Sequence, residues 1–328
     1  MEEPDGVFAR LRARYLNFAR HEARGVSPLY ERLARGVAES EPLLRFIAAL
    51  PAAKQQPNLV FAAVRRLYGT PRDLPHLVEL VGRHPEPIRA LVLRRSTQTN
   101  EPGRCATLLP ALARLPQPLA LLEVGASAGL CLLPDRYGYD YGRVRLAPPR
   151  AGGPDDPPVF PCRASEATPL PDRLPAVAWR AGIDLNPLDL ADEDDTAWLE
   201  TLVWPEQEDR AERLRAAIRI ARASPPPVVR GDLVEKLRSV AATAPREATL
   251  VVFHTAVLLY LPSEARERFV RMVAEMDAVW VSNESPAVLP SIAAKLPAEP
   301  PADRLLLSVD GEPVAFTGPH GQSVDWLT

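Results

Sequence analysis

The sequence predicts an α/β protein: a mostly parallel sheet with an antiparallel C-terminal strand, preceded by an all-α N-terminal domain. Three observations carry this. Apolar residues recur at helical spacing through the first third, with no strand-like alternation before residue 118. Short apolar runs then alternate with helical stretches, the pattern of a parallel sheet covered by helices on both faces. Near the end, Asp310-Gly311 joins two extended segments, a strong hairpin signal.

The elements follow in order. Phe8, Leu11, Tyr15, Phe18 and Ala19 share one helix face, and Leu29, Leu33 and Val37 share another. Further helices are expected over 42–50, 58–68, 75–82 and 87–93. Prolines open several of them, where the missing N–H has no helical partner to lose. Pro116-Gln117-Pro118 marks a boundary, which gives a helical domain over 1–117 and a sheet domain over 118–328. Strands are expected over 119–124, 176–183, 227–230, 250–253, 278–282 and 305–309. Helices are expected over 195–202, 206–223, 233–242 and 263–276. The stretch 137–175 breaks the alternation with many prolines, Gly152-Gly153 and Asp155-Asp156. It reads as an insertion in which 139–146 and 159–164 pair as a hairpin.

Composition sets bounds on function. Hydrophobic residues make up 46% and charged residues 25% of the 328, which excludes a disordered chain despite 37 prolines. A net charge of −3 argues against a polyanion binder, so nucleic acid is disfavoured as a partner. The charge is uneven: residues 1–118 hold 18 Lys+Arg against 11 Asp+Glu, and the remainder 21 against 31. Two units with different faces are expected. Cys105, Cys131 and Cys162 form no CxxC, as in a reducing compartment, and neither a disulfide framework nor a metal site is expected. The acidic start, Met1-Glu2-Glu3, has no signal-peptide character, and the apolar stretch 248–261 is too short to span a bilayer. The expectation is a cytoplasmic protein without a membrane partner.

Five strand ends carry chemistry. Leu121-Leu122-Glu123-Val124-Gly125-Ala126-Ser127-Ala128-Gly129 runs a buried strand into a small-residue loop, with a helix expected from about Leu130. Small residues admit a ligand to the backbone, and a helix start offers free N–H groups. A tight turn without a ligand is the alternative. Asp184 closes the second strand, where two acceptor oxygens suit a vicinal diol or cap the turn before Asn186-Pro187. Asp232 follows Gly231 at the third strand end and is equally placed as a helix N-cap. His254 ends the fourth strand, as a general base or a satisfied core residue. Asn283 and Glu284 end the fifth, as site residues or as caps for a helix near Pro286.

Taken in order, these ends resemble class I S-adenosylmethionine-dependent methyltransferases. The resemblance implies a Rossmann-type sheet in which Glu123, Gly125, Ser127, Gly129, Asp184 and Asp232 hold the cofactor. His254, Glu284 and Asn283 would then face a small-molecule acceptor. One departure is the spacing, because Asp184 follows Gly125 by 59 residues against about 20 in a simple unit. The 137–175 insertion is expected to absorb the excess.

Longer motifs narrow the resemblance. The segments 96–105, 179–189, Leu202-Val203-Trp204-Pro205-Glu206-Gln207 and 253–258, with the Gly125–Gly129 loop, resemble the bacterial domain of unknown function 2332. That family carries no established substrate. Gln98, Asn100 and Arg104 are candidate substrate-binding residues, or local caps and ion pairs. Trp204 is a base-stacking candidate or a core residue. A competing class is a non-catalytic nucleotide-binding or interaction module that kept the fold. A weaker reading is a Ser127-centred α/β hydrolase, since Gly125–Gly129 fits G-x-S-x-G and Asp232 and His254 follow in order. The glycine spacing disfavours an NAD-dependent oxidoreductase.

Overall fold

A computed structural model describes residues 4–149, 156–301 and 303–328. The start Met1-Glu2-Glu3, the Gly152-Gly153 pair and Asp155 lie outside them. Two compact units result. The first comprises residues up to Thr99 with Ala197–Ala211, and the second comprises Asn100–Thr196 and Glu212–Thr328.

The first unit is helical, as its periodicity predicts. It contains α1 (Pro4–Phe18), α2 (Pro28–Glu39), α3 (Glu41–Ala48), α4 (Pro57–Tyr68), α5 (Leu74–Arg83) and α6 (Pro85–Arg94). Proline occupies the first turn of α2 through α6. Ser27 and Asp73 cap α2 and α5 by accepting from the amides of Tyr30 and His76. The core gathers Tyr15, Phe18, Tyr30, Leu33 and Phe61 with Trp198 and Trp204. Trp204 meets Phe18 edge-on at 5.6 Å, and its indole N–H donates to Asn58 Oδ1 at 2.9 Å. Trp204 is therefore a packed core residue of this unit.

The second unit begins earlier than the Pro116–Pro118 boundary. Helix α7 (Cys105–Leu112) belongs to it and is buried on every side, which its uniformly apolar sequence requires. The strands are β1 (Leu119–Val124), β2 (Gly138–Asp140), β3 (Arg145–Leu146), β4 (Val159–Pro161), β5 (Arg163–Ala164) and β6 (Val177–Asp184). They continue with β7 (Val228–Arg230), β8 (Thr249–Thr255), β9 (Val279–Glu284), β10 (Leu305–Val309), β11 (Glu312–Thr317) and β12 (Ser323–Trp326). The remaining helices are α8 (Glu193–Leu202) and α9 (Glu208–Ala223), of which residues 197–202 and 208–211 belong to the first unit, then α10 (Leu233–Ala241), α11 (Ser263–Ala274) and the short α12 (Pro290–Ala293) of the second.

The main sheet has the order β5-β12-β11-β10-β9-β8-β1-β6-β7. Strands β7, β6, β1, β8 and β9 are parallel, and β10, β11 and β12 continue antiparallel. The Asp310-Gly311 turn joins β10 to β11 as predicted, pairing Val309 with Glu312. On one face Leu122, Val124, Ile183 and Val252 pack under Leu237 of α10 and Phe269 of α11. Alternation turns Leu121 and Glu123 to the opposite face.

Two expectations are corrected. The insertion forms a separate sheet of order β3-β2-β4, and not one hairpin. A tight turn at Gly142 pairs Tyr139 with Leu146, which uses one edge of β2, and β4 adds to the other edge in parallel. Arg163–Ala164 leaves it to pair with β12 in the main sheet. The helix expected from about Leu130 is absent as well. Two 3₁₀ turns, Leu130–Leu132 and Pro134–Arg136, stand there. Pro134 has no N–H to continue an α-helical ladder. Asn283 and Glu284 likewise precede turns, because the next helix is α12.

The C-terminal loop closes against the 100–105 segment. A Cβ at Gly321, where φ is +83°, would lie 1.9 Å from the carbonyl oxygen of Gly103. Gly321→Ala is expected to destabilise the fold by about 3 kcal/mol. Urea unfolding checks this, and an unchanged midpoint would mean that the loop does not pack on Gly103.

Candidate functional site

Strand order reverses between β1 and β8, and in an open α/β sheet the ligand crevice lies outside the carboxyl ends at that point. The loop after β1 is built from left-handed residues: Gly125 (φ +73°), Ser127 (φ +52°) and Gly129 (φ +74°). Asp184 fixes it from the next strand. Its Oδ2 accepts from the Ser127 amide and its Oδ1 from the Asn186 amide, each at 2.8 Å. The capping role read from the sequence is thus made, and it extends to the neighbouring loop. Large apolar side chains stand exposed beside it: Leu185 directly after Asp184 is 63% exposed and Val229 in β7 is 37% exposed. Register pairs Asp184 with Arg230, so Val229 and Leu185 belong to adjoining strand ends.

The crevice between β1 and β8 is filled by the chain itself. A Cβ at Gly125 would meet the Val257 methyls at 2.5 Å. Arg104 Nη1 donates to the carbonyl and hydroxyl oxygens of Thr255 at 2.9 and 3.2 Å, and its Nε donates to the Pro319 carbonyl at 2.9 Å. Asn100 Oδ1 accepts from the Leu130 amide at 2.8 Å. The candidate substrate residues Asn100 and Arg104 therefore brace this edge from within the unit. Gln98 belongs to the first unit.

Register divides the strand ends between two faces. Glu123 pairs with Phe253 and Thr255 with Asn283, which places Glu123, Thr255 and Asn283 on one face and His254 and Glu284 on the other. On the first face Thr317 donates to Asn283 Oδ1 at 2.7 Å, while Asn283 Nδ2, Glu123 Oε2 and the Ser127 hydroxyl are buried without a hydrogen-bond partner. Burial pushes the Glu123 carboxyl well above its ordinary range. Cys131 and Asp184 add to the rise, and Arg104 opposes it. Contact with the Cys105 thiol and burial push the Cys131 thiol up in turn.

On the second face His254 is fully buried. The Trp280 indole N–H donates to His254 Nε2 at 3.0 Å, so the ring proton stands on Nδ1 and donates to Glu284 Oε1 at 2.8 Å. Glu284 Oε1 also accepts from the amides of Val257 and Leu258 at 2.8 and 3.0 Å. Neither ring nitrogen has a lone pair or proton left for a substrate. The trio holds the turn that presses Val257 onto Gly125. Trp280 and Val257 were not singled out from the sequence, because only strand register reveals their partners.

A profile of DUF2332, described as an uncharacterized protein conserved in bacteria, matches residues 12–326. The chain belongs to the DUF2332 family. No curated protein and no solved structure matches it.

In this DUF2332 chain the remaining sequence candidates have local roles. Asp232 Oδ1 accepts from the Val234 and Glu235 amides and caps α10. Ser127 has the left-handed backbone of a nucleophile elbow, but only 3₁₀ turns and no α-helix follow it. With Asp232 capping and His254 bonded to Trp280 and Glu284, no Ser–His–Asp relay is assembled. Among the described residues no three His, Cys, Asp or Glu side chains group to hold a metal ion, and no helix is long and apolar enough to cross a membrane.

Glu123 yields a stability test. Its folded carboxyl binds a proton more tightly than the unfolded one, whose pKa lies near 4.5. Stability is therefore lost as pH rises above that value toward the folded pKa. Glu123→Gln removes the ionisation. The variant is expected to melt above the parent at about pH 8, by a few degrees, with the gap closing toward about pH 4.5. Thermal melts at both pH values check this, and a Glu123→Gln variant less stable at about pH 8 would refute it.

Proposed function

We propose that the DUF2332 sheet unit binds a nucleoside at the carboxyl ends of β1, β6 and β7, and that S-adenosylmethionine is the nucleoside the arrangement suits best. The protein is then a methyltransferase-type enzyme for a small-molecule acceptor. The observation that carries the reading is Leu185, exposed directly after the strand-terminal carboxylate of Asp184 and beside the left-handed loop. An exposed leucine at that place supports a purine ring. Each Asp184 oxygen accepts one amide and keeps further acceptor capacity for a ribose diol. The parallel order β7-β6-β1-β8-β9 supports the same reading.

His254 is no base in this proposal. Transfer would depend on holding an acceptor in line with the sulfonium methyl. The closed β1/β8 crevice favours a second reading, a nucleotide-binding module without catalysis. Calorimetric titration with S-adenosylmethionine, S-adenosylhomocysteine and NAD tests both. Micromolar binding of the sulfur nucleotides is expected, with none of NAD. Leu185→Ala is expected to weaken binding about tenfold, from lost apolar contact, with an unchanged melting temperature. Absence of binding by both sulfur nucleotides would overturn the methyltransferase reading.

A further inference from the structure

A cavity of about 540 Å³ lies within the second unit, beside the loop after β1. Its walls are apolar and stiff. Ala128 of the loop, Pro187 and Leu188 after β6, and Pro226 and Val228 at the start of β7 all line it. Each proline fixes its φ, which limits how far these walls can move, and the volume is that of a small-molecule pocket. The loop itself is fitted to the wall, because a Cβ at Gly129 would lie 2.7 Å from Pro226.

Three charged side chains reach this cavity: Asp189, Glu193 and Arg222. Arg222 is committed to the protein. Its Nε donates to the Leu190 carbonyl at 2.5 Å and its Nη2 to the Thr196 hydroxyl at 3.1 Å, which braces the end of α9 against the start of α8. Asp189 Oδ1 accepts from the Ala191 amide at 2.8 Å. The Glu193 carboxylate has no side-chain hydrogen bond or ion pair among the described residues. Nearby, Asp192 Oδ1 accepts from the Asp194 and Asp195 amides at 2.7 and 3.4 Å and caps the start of α8. The lining thus carries two acidic side chains against one base that is already bonded, and Glu193 is the acid left to meet a cation.

We infer that this cavity binds a small organic cation, an ammonium group on an apolar body, with Glu193 as its counter-charge. The apolar body fills the proline-walled interior and the ammonium stays at the acidic rim. The inference does not depend on nucleoside binding, and its test contains no nucleoside.

Calorimetric titration of the full chain with tryptamine and with indole-3-acetate presents one bicyclic body carrying opposite charges. Saturable binding of tryptamine is expected, with indole-3-acetate weaker by about tenfold. Glu193→Gln, at an exposed position, is expected to weaken tryptamine about fivefold. Ala191→Trp, on the exposed rim, is expected to block it. The melting temperatures of both variants without ligand should match the parent, since neither side chain holds another element. Absence of tryptamine binding, equal affinity for the two probes, or full affinity in Glu193→Gln would overturn the assignment. Binding of tryptamine by a chain that ignores sulfur nucleotides would leave it standing and remove only the methyltransferase reading.

Discussion

The carboxylate of Asp184 holds the candidate site together. One oxygen caps the turn after β6 and the other carries the amide of Ser127, so a single side chain sets the geometry of two loops. The loop after β1 needs that support. Three of its five residues are left-handed, one of them a serine, and no α-helix follows to anchor it. Hydrogen bonds to an ionised acceptor are the stronger kind. Loss of the carboxylate would leave the Ser127 amide without an intramolecular acceptor at a serine held in the left-handed region.

A second carboxylate organises the other side of the edge. Glu284 collects the His254 ring and two amides of the turn after β8, and the same turn lays Val257 over Gly125. A buried histidine with both nitrogens bonded is a structural group. Its donor, Trp280, and its acceptor, Glu284, lie on the same strand. The outcome is an edge divided in two. Between β1 and β8 side chains meet side chains, with Arg104 tied to Thr255. Beyond β6, Leu185 and Val229 face solvent.

Much of the fold was legible because local pattern and final structure agree. The runs at 119–124 and 305–309 became β1 and β10 with the same bounds, and the proline-opened helices of the first unit formed as read. The misreadings have physical causes. The run after Gly129 is apolar enough for a helix, but Pro134 and burial among Cys105 and Tyr137 leave only 3₁₀ turns. The 139–146 and 159–164 segments do pair, through β2 and β4, but in parallel and not as a hairpin, because β3 takes the antiparallel edge of β2. Polarity alone could not separate His254 from a catalytic base. The distinction lies in partners 26 and 30 residues away, brought close only by strand register.

The closed switch point constrains any chemistry at this edge. In a doubly wound sheet the crevice where strand order reverses is where ligands usually lie. Here Val257 occupies it, held by Glu284, while Glu123 Oε2 and Asn283 Nδ2 are buried without hydrogen-bond partners. Burying such groups unpaired is unfavourable. The unit tolerates that cost within a layer otherwise knit by Arg104 and Thr317, and it leaves the neighbouring β6/β7 end open. The exposed apolar groups Leu185 and Val229 thus stand two strands from the switch point, beside the loop that Asp184 fixes. A ligand there would be gripped by backbone, carboxylate and leucine, and would not reach His254.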